Sequence, residues 1–95
     1  MDNMSVISIL LNPPRLYTGD VRFTVGVNDE KIAEGKAGET ISVTLPEGRR
    51  KILILVENGT VTSFTGTTDV DVRDGMSLKI KYGVLSRTAK LVFNS

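Results

Sequence analysis

Apolar and polar residues alternate along most of the chain, and the alternation sets its elements. Val21, Phe23, Val25 and Val27 interleave with Arg22, Thr24, Gly26 and Asn28; Ile41, Val43 and Leu45 with Thr40, Ser42 and Thr44; Met76, Leu78, Ile80 and Tyr82 with Ser77, Lys79 and Lys81. A period of two places each set on one side of an extended chain, so each run predicts a strand with one buried face and one wet face. Met4–Leu11 follows the same rule through Ile7, Ile9 and Leu11. In Thr67–Arg73, Val70 and Val72 turn inward, and Asp69, Asp71 and Arg73 turn outward. Arg50–Glu57 departs from the rule: Ile52, Ile54 and Val56 occupy one face and Leu53 and Leu55 the other. That pattern predicts a central strand or one whose outer face is covered.

Turn residues separate these runs. Asn12-Pro13-Pro14 ends the first, because proline donates no hydrogen bond and restricts its predecessor. Asn28-Asp29 tolerates left-handed backbone angles, Gly35–Glu39 and Pro46-Glu47-Gly48 break the chain again, and Asn58-Gly59 and Asp74-Gly75 are hairpin dipeptides. Glu30–Glu34 has helical propensity, but Gly35 and Gly38 follow at once. A single helical turn does not hold in water, so Lys31–Glu34 is expected as a short strand returning along Val21–Val27. Val61–Gly66 and Thr88–Phe93 complete the set, the latter after a loop at Gly83–Arg87. Strands spaced about 8–12 residues apart indicate a β-sandwich or a small barrel.

Ninety-five residues make one small domain, residues 1–95. The chain has no cysteine, histidine or tryptophan. Without His or Cys the usual zinc, copper and iron ligand sets cannot form within it. Nor can a Ser-His or Cys-His nucleophile pair. No cofactor is expected, and no enzyme: catalysis would need carboxylates paired across a cleft, such as Glu47 or Glu57 with an aspartate, and no spacing suggests one. Twelve basic and 11 acidic residues leave a net charge of +1, too little to steer the protein toward nucleic acid or anionic lipid. No apolar run approaches the ~20 residues of a membrane-spanning helix. Met1-Asp2-Asn3-Met4 lacks the basic start and apolar core of a signal peptide. The expected location is therefore the cytoplasm, or the chain is an excised domain of an envelope protein.

The stretch from Val25-Gly26-Val27-Asn28-Asp29-Glu30 through Gly38-Glu39-Thr40-Ile41-Ser42-Val43-Thr44-Leu45-Pro46-Glu47-Gly48 to Arg49-Arg50-Lys51-Ile52 resembles small bacterial β-sandwich modules of the PEGA type and their carboxypeptidase-regulatory-like relatives. The likeness covers about Val25–Val56. Arg49 stands where the name-giving motif has alanine, Glu30 where the turn glycine is expected, and Pro46-Glu47-Gly48 precedes the later strand. The resemblance implies an immunoglobulin-like or transthyretin-like antiparallel sandwich of seven to eight strands. Such a module serves as a spacer or interaction domain and has no catalytic residues to transfer.

Five features are candidates for chemistry or contact. Arg49, Arg50 and Lys51, with Lys79, Lys81, Arg87 and Lys90, would form an anion-binding face if their strands were adjacent. No aromatic platform is interleaved with them, which favours a solvated face with lysines guarding sheet edges. Asp69, Asp71 and Asp74 offer oxygen ligands near a turn but lack calcium-loop spacing, so surface charge and turn formation account for them better. Asn58-Gly59-Thr60 is formally a glycosylation sequon and reads first as a hairpin turn. Leu53 and Leu55, if exposed, make an apolar patch for a protein partner or for self-association into a homodimer. The loop Asn12–Asp20 carries Arg15 and Tyr17, recognition residues if the loop acts in binding, with Tyr17 better read as capping the core. The function expected from all this is a non-enzymatic structural or protein-interaction module. The alternative is an OB-like barrel binding nucleic acid or another polyanion through its basic face.

Overall fold

The computed structural model describes residues 3–15, 19–59 and 61–94, the side chain of Val61 excepted. It is all-β. Eight strands follow in order: β1 (Met4–Leu10), β2 (Val21–Val27), β3 (Glu30–Lys36), β4 (Thr40–Pro46), β5 (Gly48–Asn58), β6 (Val61–Val72), β7 (Ser77–Gly83) and β8 (Thr88–Phe93). The stretch from Glu30 is a strand and pairs back onto β2, as the glycines after it demand. Val61–Gly66 and its continuation in Thr67–Arg73 form one strand, β6, running unbroken through Gly66.

Hydrogen bonding joins all eight in a single order, β3-β2-β5-β6-β8-β7-β1-β4. The two end strands, β3 and β4, are consecutive in the chain and meet at the Ala37–Glu39 turn, where Gly38 takes φ 89°. Gly35 allows that approach: a Cβ there would fall 2.6 Å from Leu11 Cδ1 and 3.3 Å from Ile41 Cγ2. The sheet is thereby nearly closed and barrel-like, rather than plainly divided into the two layers expected. It is elongated, 42 × 22 × 21 Å.

Most pairings are antiparallel, but β1 lies parallel to β7 and β6 parallel to β8. These are the thin seams of the sheet. The β6–β8 junction rests on one bridge, Thr65 with Thr88, and on Leu91 N–H donating to Thr68 Oγ1 at 2.9 Å. Gly66 faces the Ala89 backbone across it, so closely that any Cβ would collide with the Ala89 carbonyl oxygen.

Asp74-Gly75 turns the chain, with Met76 N–H donating to Arg73 O at 3.3 Å and Gly75 at φ 86°. It is not a hairpin, however: β6 and β7 do not pair, and the turn carries the chain from β6 across to the β1–β7–β8 side. Glu47 does the same between β4 and β5. Both crossings lie at one end of the molecule, since Gly48 pairs with Val72. They grip the start of β1 between them. Val6 N–H donates to Asp74 Oδ1 at 2.8 Å, Gly75 N–H to Val6 O at 2.9 Å, and Glu47 N–H to Asn3 O at 2.9 Å.

The inward positions of the alternation fill the interior. Phe23, Ile7, Ile9, Leu11, Ile52, Ile54, Val25, Val56 and Val72 are fully buried. Each such side chain contributes about 1.5–3 kcal/mol by leaving water. No buried side-chain polar atom lacks a partner among the described residues.

Candidate functional site

The basic residues of β5 do not converge. Arg49 and Lys51 point outward, where the register sets them opposite Asp71 and Asp69 of β6. Opposite charges facing across a pair of strands stabilise the sheet locally, and the result is a face of mixed sign. Arg50 lies on the alternate face, opposite Val70, and folds over the crossing that precedes it. Its guanidinium donates from Nε to Pro46 O at 3.2 Å, from Nη1 to Arg49 O at 3.1 Å and from Nη2 to Glu47 O at 3.0 Å. These bonds satisfy carbonyls that leave the ladder at the turn. Lys79, Lys81 and Lys90 sit on β7 and β8, with Lys81 opposite Lys90, away from the β5 cations.

The aspartates serve the fold. Asp71 pairs with Arg73 at 3.1 Å and Asp74 braces Val6. No group of three acidic side chains suited to a metal occurs among the described residues. In the Asn58-Gly59-Thr60 sequon, Asn58 pairs with Val61 and Gly59 takes φ 68°, the conformation of a tight hairpin; Thr60 lies outside the described residues, as does Tyr17.

Leu53 and Leu55 occupy the middle of the outer face. Leu53 is 36% exposed and Leu55 half-buried. Gly26 and Thr67 flank Leu53, and Thr24 and Thr65 flank Leu55. They form a narrow apolar stripe bordered by threonines.

A second surface was not apparent from the sequence: the free edge of β4. Leu11 N–H donates to Glu39 O at 2.8 Å and Glu47 N–H to Asn3 O at 2.9 Å, which fixes the phase of the β1–β4 ladder. In an antiparallel ladder the backbone groups alternate in direction. Those of Ile41, Val43 and Leu45 therefore point to β1, and those of Thr40, Ser42 and Thr44 point away from it. The outer face alongside has no charge. Met4, Val6, Ser8 and Leu10 of β1 stand opposite Pro46, Thr44, Ser42 and Thr40, with Met4 57% and Val6 47% exposed. The other edge, β3, differs in both respects. It carries Lys31, Glu34 and Lys36 and is bulged opposite Val25 and Gly26. Charge and a bulge are the means by which sheet edges are closed to further pairing. β3 has both and β4 has neither.

No helix among the described residues is long and apolar enough to cross a membrane. No protein family, no curated protein and no solved structure matches the chain.

Proposed function

We propose that the protein is a non-enzymatic protein-interaction module that associates through the edge of β4. The reading rests on one observation: β4 presents unpaired backbone groups at Thr40, Ser42 and Thr44 beside an uncharged outer face, while the opposite edge is charged and bulged. A bare edge of this kind accepts another strand, and main-chain hydrogen bonds supply the affinity. The occupant is a second copy. Two β4 strands related by a two-fold axis run antiparallel and set Thr and Ser residues opposite one another, with no like charges to repel.

In this reading the barrel is a flattened immunoglobulin-like or transthyretin-like sandwich. The thin β6–β8 seam and the paired chain crossings at one end support it, since they divide β3-β2-β5-β6 from β8-β7-β1-β4. The polyanion reading gains nothing from the geometry, because Arg49 and Lys51 face Asp71 and Asp69 and Arg50 is engaged with carbonyls.

Sedimentation velocity across a concentration series tests the proposal. The wild type should pass from monomer to dimer between roughly micromolar and millimolar concentration, the range of a small interface. Ser42→Lys should hold it monomeric, and Leu53→Asp/Leu55→Asp should leave the dimer unchanged. A wild type that stays monomeric throughout, or a dimer lost with the leucine pair and kept with Ser42→Lys, rejects the β4 edge.

A further inference from the structure

The net charge of +1 conceals an uneven distribution. Residues 75–95 carry Lys79, Lys81, Arg87 and Lys90 and no Asp or Glu, and residues 3–19 and 40–46 add Arg15 and no acid either. Those segments hold β8, β7, β1 and β4, which adjoin one another in the sheet. Asp2 aside, every acidic side chain belongs to residues 20–39 and 47–74, and so to β3, β2, β5, β6 and the turns beside them. One half of the molecule is cationic, and the other is anionic on balance. A split of this kind produces a field that the total charge does not report.

The cations of the first half gather on the β7–β8 hairpin. Lys81 and Lys90 are both exposed and stand directly opposite each other, and Lys79 follows on the same face of β7. Like charges facing across a strand pair destabilise a sheet. None of Lys79, Lys81, Arg87 and Lys90 has an ion pair among the described residues, and Asp69 on the adjoining β6 is set opposite Lys51. At the tip of the hairpin the Gly83–Thr88 pair closes the loop Val84-Leu85-Ser86-Arg87. Turns are ordinarily built from Gly, Pro, Asn, Asp and Ser, yet the first two places here are Val84, 73% exposed, and Leu85, fully exposed. The far side of the loop is anchored: Arg87 takes φ 55°, its carbonyl accepts Thr65 N–H at 3.2 Å, and Ser86 Oγ and Thr88 Oγ1 lie 3.0 Å apart.

From this we infer that the β7–β8 hairpin docks on an anionic lipid surface. Val84 and Leu85 enter the boundary between headgroups and acyl chains, and Arg87, Lys81 and Lys90 meet the lipid phosphates. A strand advances about 3.4 Å per residue, so Lys81 and Lys90 stand about 7 Å behind the pair that closes the loop. Their flexible stems span that depth while the ammonium groups stay in water. A phosphate between Lys81 and Lys90 also offsets their repulsion. Apolar burial and attraction to anionic headgroups add in this mode of attachment. The apolar tip favours lipid over single-stranded nucleic acid, which calls for stacking rings among the cations. β1 separates the hairpin from the β4 edge, so the outcome here leaves the dimer reading untouched.

The test is flotation of the full chain with vesicles of phosphatidylcholine alone and of phosphatidylcholine with roughly one-third phosphatidylserine. The wild type should bind the anionic vesicles at least about tenfold more tightly than the neutral ones, and should lose that preference as salt screens the charges. Lys81→Gln/Lys90→Gln should weaken binding by about 25-fold, taking about fivefold for each cation near a lipid surface. Leu85→Ser should weaken it by at least about tenfold through the loss of buried apolar area. These positions are exposed, and serine suits a turn, so the variants keep the fold. The chain has no tryptophan, so Leu85→Trp places a reporter at the tip, and its emission should shift to the blue on anionic vesicles. Equal binding to both vesicles, no binding to either, a lysine or serine variant that binds as the wild type does, or an unshifted Leu85→Trp emission would each overturn the assignment. So would retention on an oligonucleotide that survives Leu85→Ser, which gives the surface to nucleic acid instead.

Discussion

Asn12 shows how much a single side chain contributes beyond its place in the sequence. The residue ends the first strand, as the two prolines after it require. Its amide then continues the strand's work: Nδ2 donates to Ile80 O at 2.8 Å, and Oδ1 accepts Ile80 N–H at 2.8 Å. A side chain thus replaces the backbone pairing that Pro13 and Pro14 cannot offer to β7. Its own carbonyl takes the Tyr82 hydroxyl. Asn12→Ala removes both partners of Ile80 at once and leaves a half-buried N–H and C=O unpaired. We expect a loss of about 2 kcal/mol in urea denaturation, with the slope unchanged because the fold and its buried area persist. None of this was legible beforehand. Asparagine before proline signals a turn wherever it stands, and only the neighbour brought in from 68 residues away gives the amide its second use.

For the elements, the alternation placed most strands but not their neighbours. Period two fixes which face of a strand is apolar and has no bearing on which strand lies beside it. Asp74-Gly75 makes the point: the local angles of a hairpin turn and of a crossing between sheet halves use the same residues, and only the pairing of the flanking strands separates them. The unguarded edge of β4 was hidden for the same reason. Thr40, Ser42 and Thr44 are ordinary outward residues until the strand order makes β4 an end. Arg50 was likewise grouped with its neighbours by charge, although its register turns it to the opposite face. The β6–β8 seam gives a prediction at this scale. Gly66→Ala forces a Cβ into the Ala89 backbone, which cannot move aside as a flexible side chain would. The variant should lose about 2–3 kcal/mol by chemical denaturation, at the upper end for overpacking. Its amide exchange should rise first at Thr65 and Leu91, whose bonds cross the seam. In the sequence Gly66 is one residue in a run of threonines, and the backbone approach that requires it belongs to a parallel pairing no local pattern announces.

Across the whole molecule, the pairings that shape it join distant parts of the chain. Three are hairpins, β2–β3, β5–β6 and β7–β8; the others, β1–β4, β1–β7, β2–β5 and β6–β8, each close a long loop. Loop closure has to be completed before such contacts repay it, so chains of this kind fold in milliseconds to seconds rather than microseconds. Stopped-flow circular dichroism should find refolding in that range, and a microsecond phase carrying the full amplitude would contradict the topology. The all-β class and the single small core were legible from period and turn spacing. The near-closure was not, because it depends on Gly35 admitting Leu11 and Ile41 between the two end strands.

The grip on β1 has a consequence for the order in which the protein can be made. Its bonds to the segment around β7, Val6 with Asp74, Ser8 with Met76 and Asn12 with Ile80, all span 68 residues. A ribosome releases β1 before the other strands of the domain, and these partners follow 68 residues later. Throughout that interval Ile7, Ile9 and Leu11 have no finished interior to enter. Of this domain's strands, the first to emerge is among the last to be secured, so it is the one a nascent-chain chaperone would need to shield.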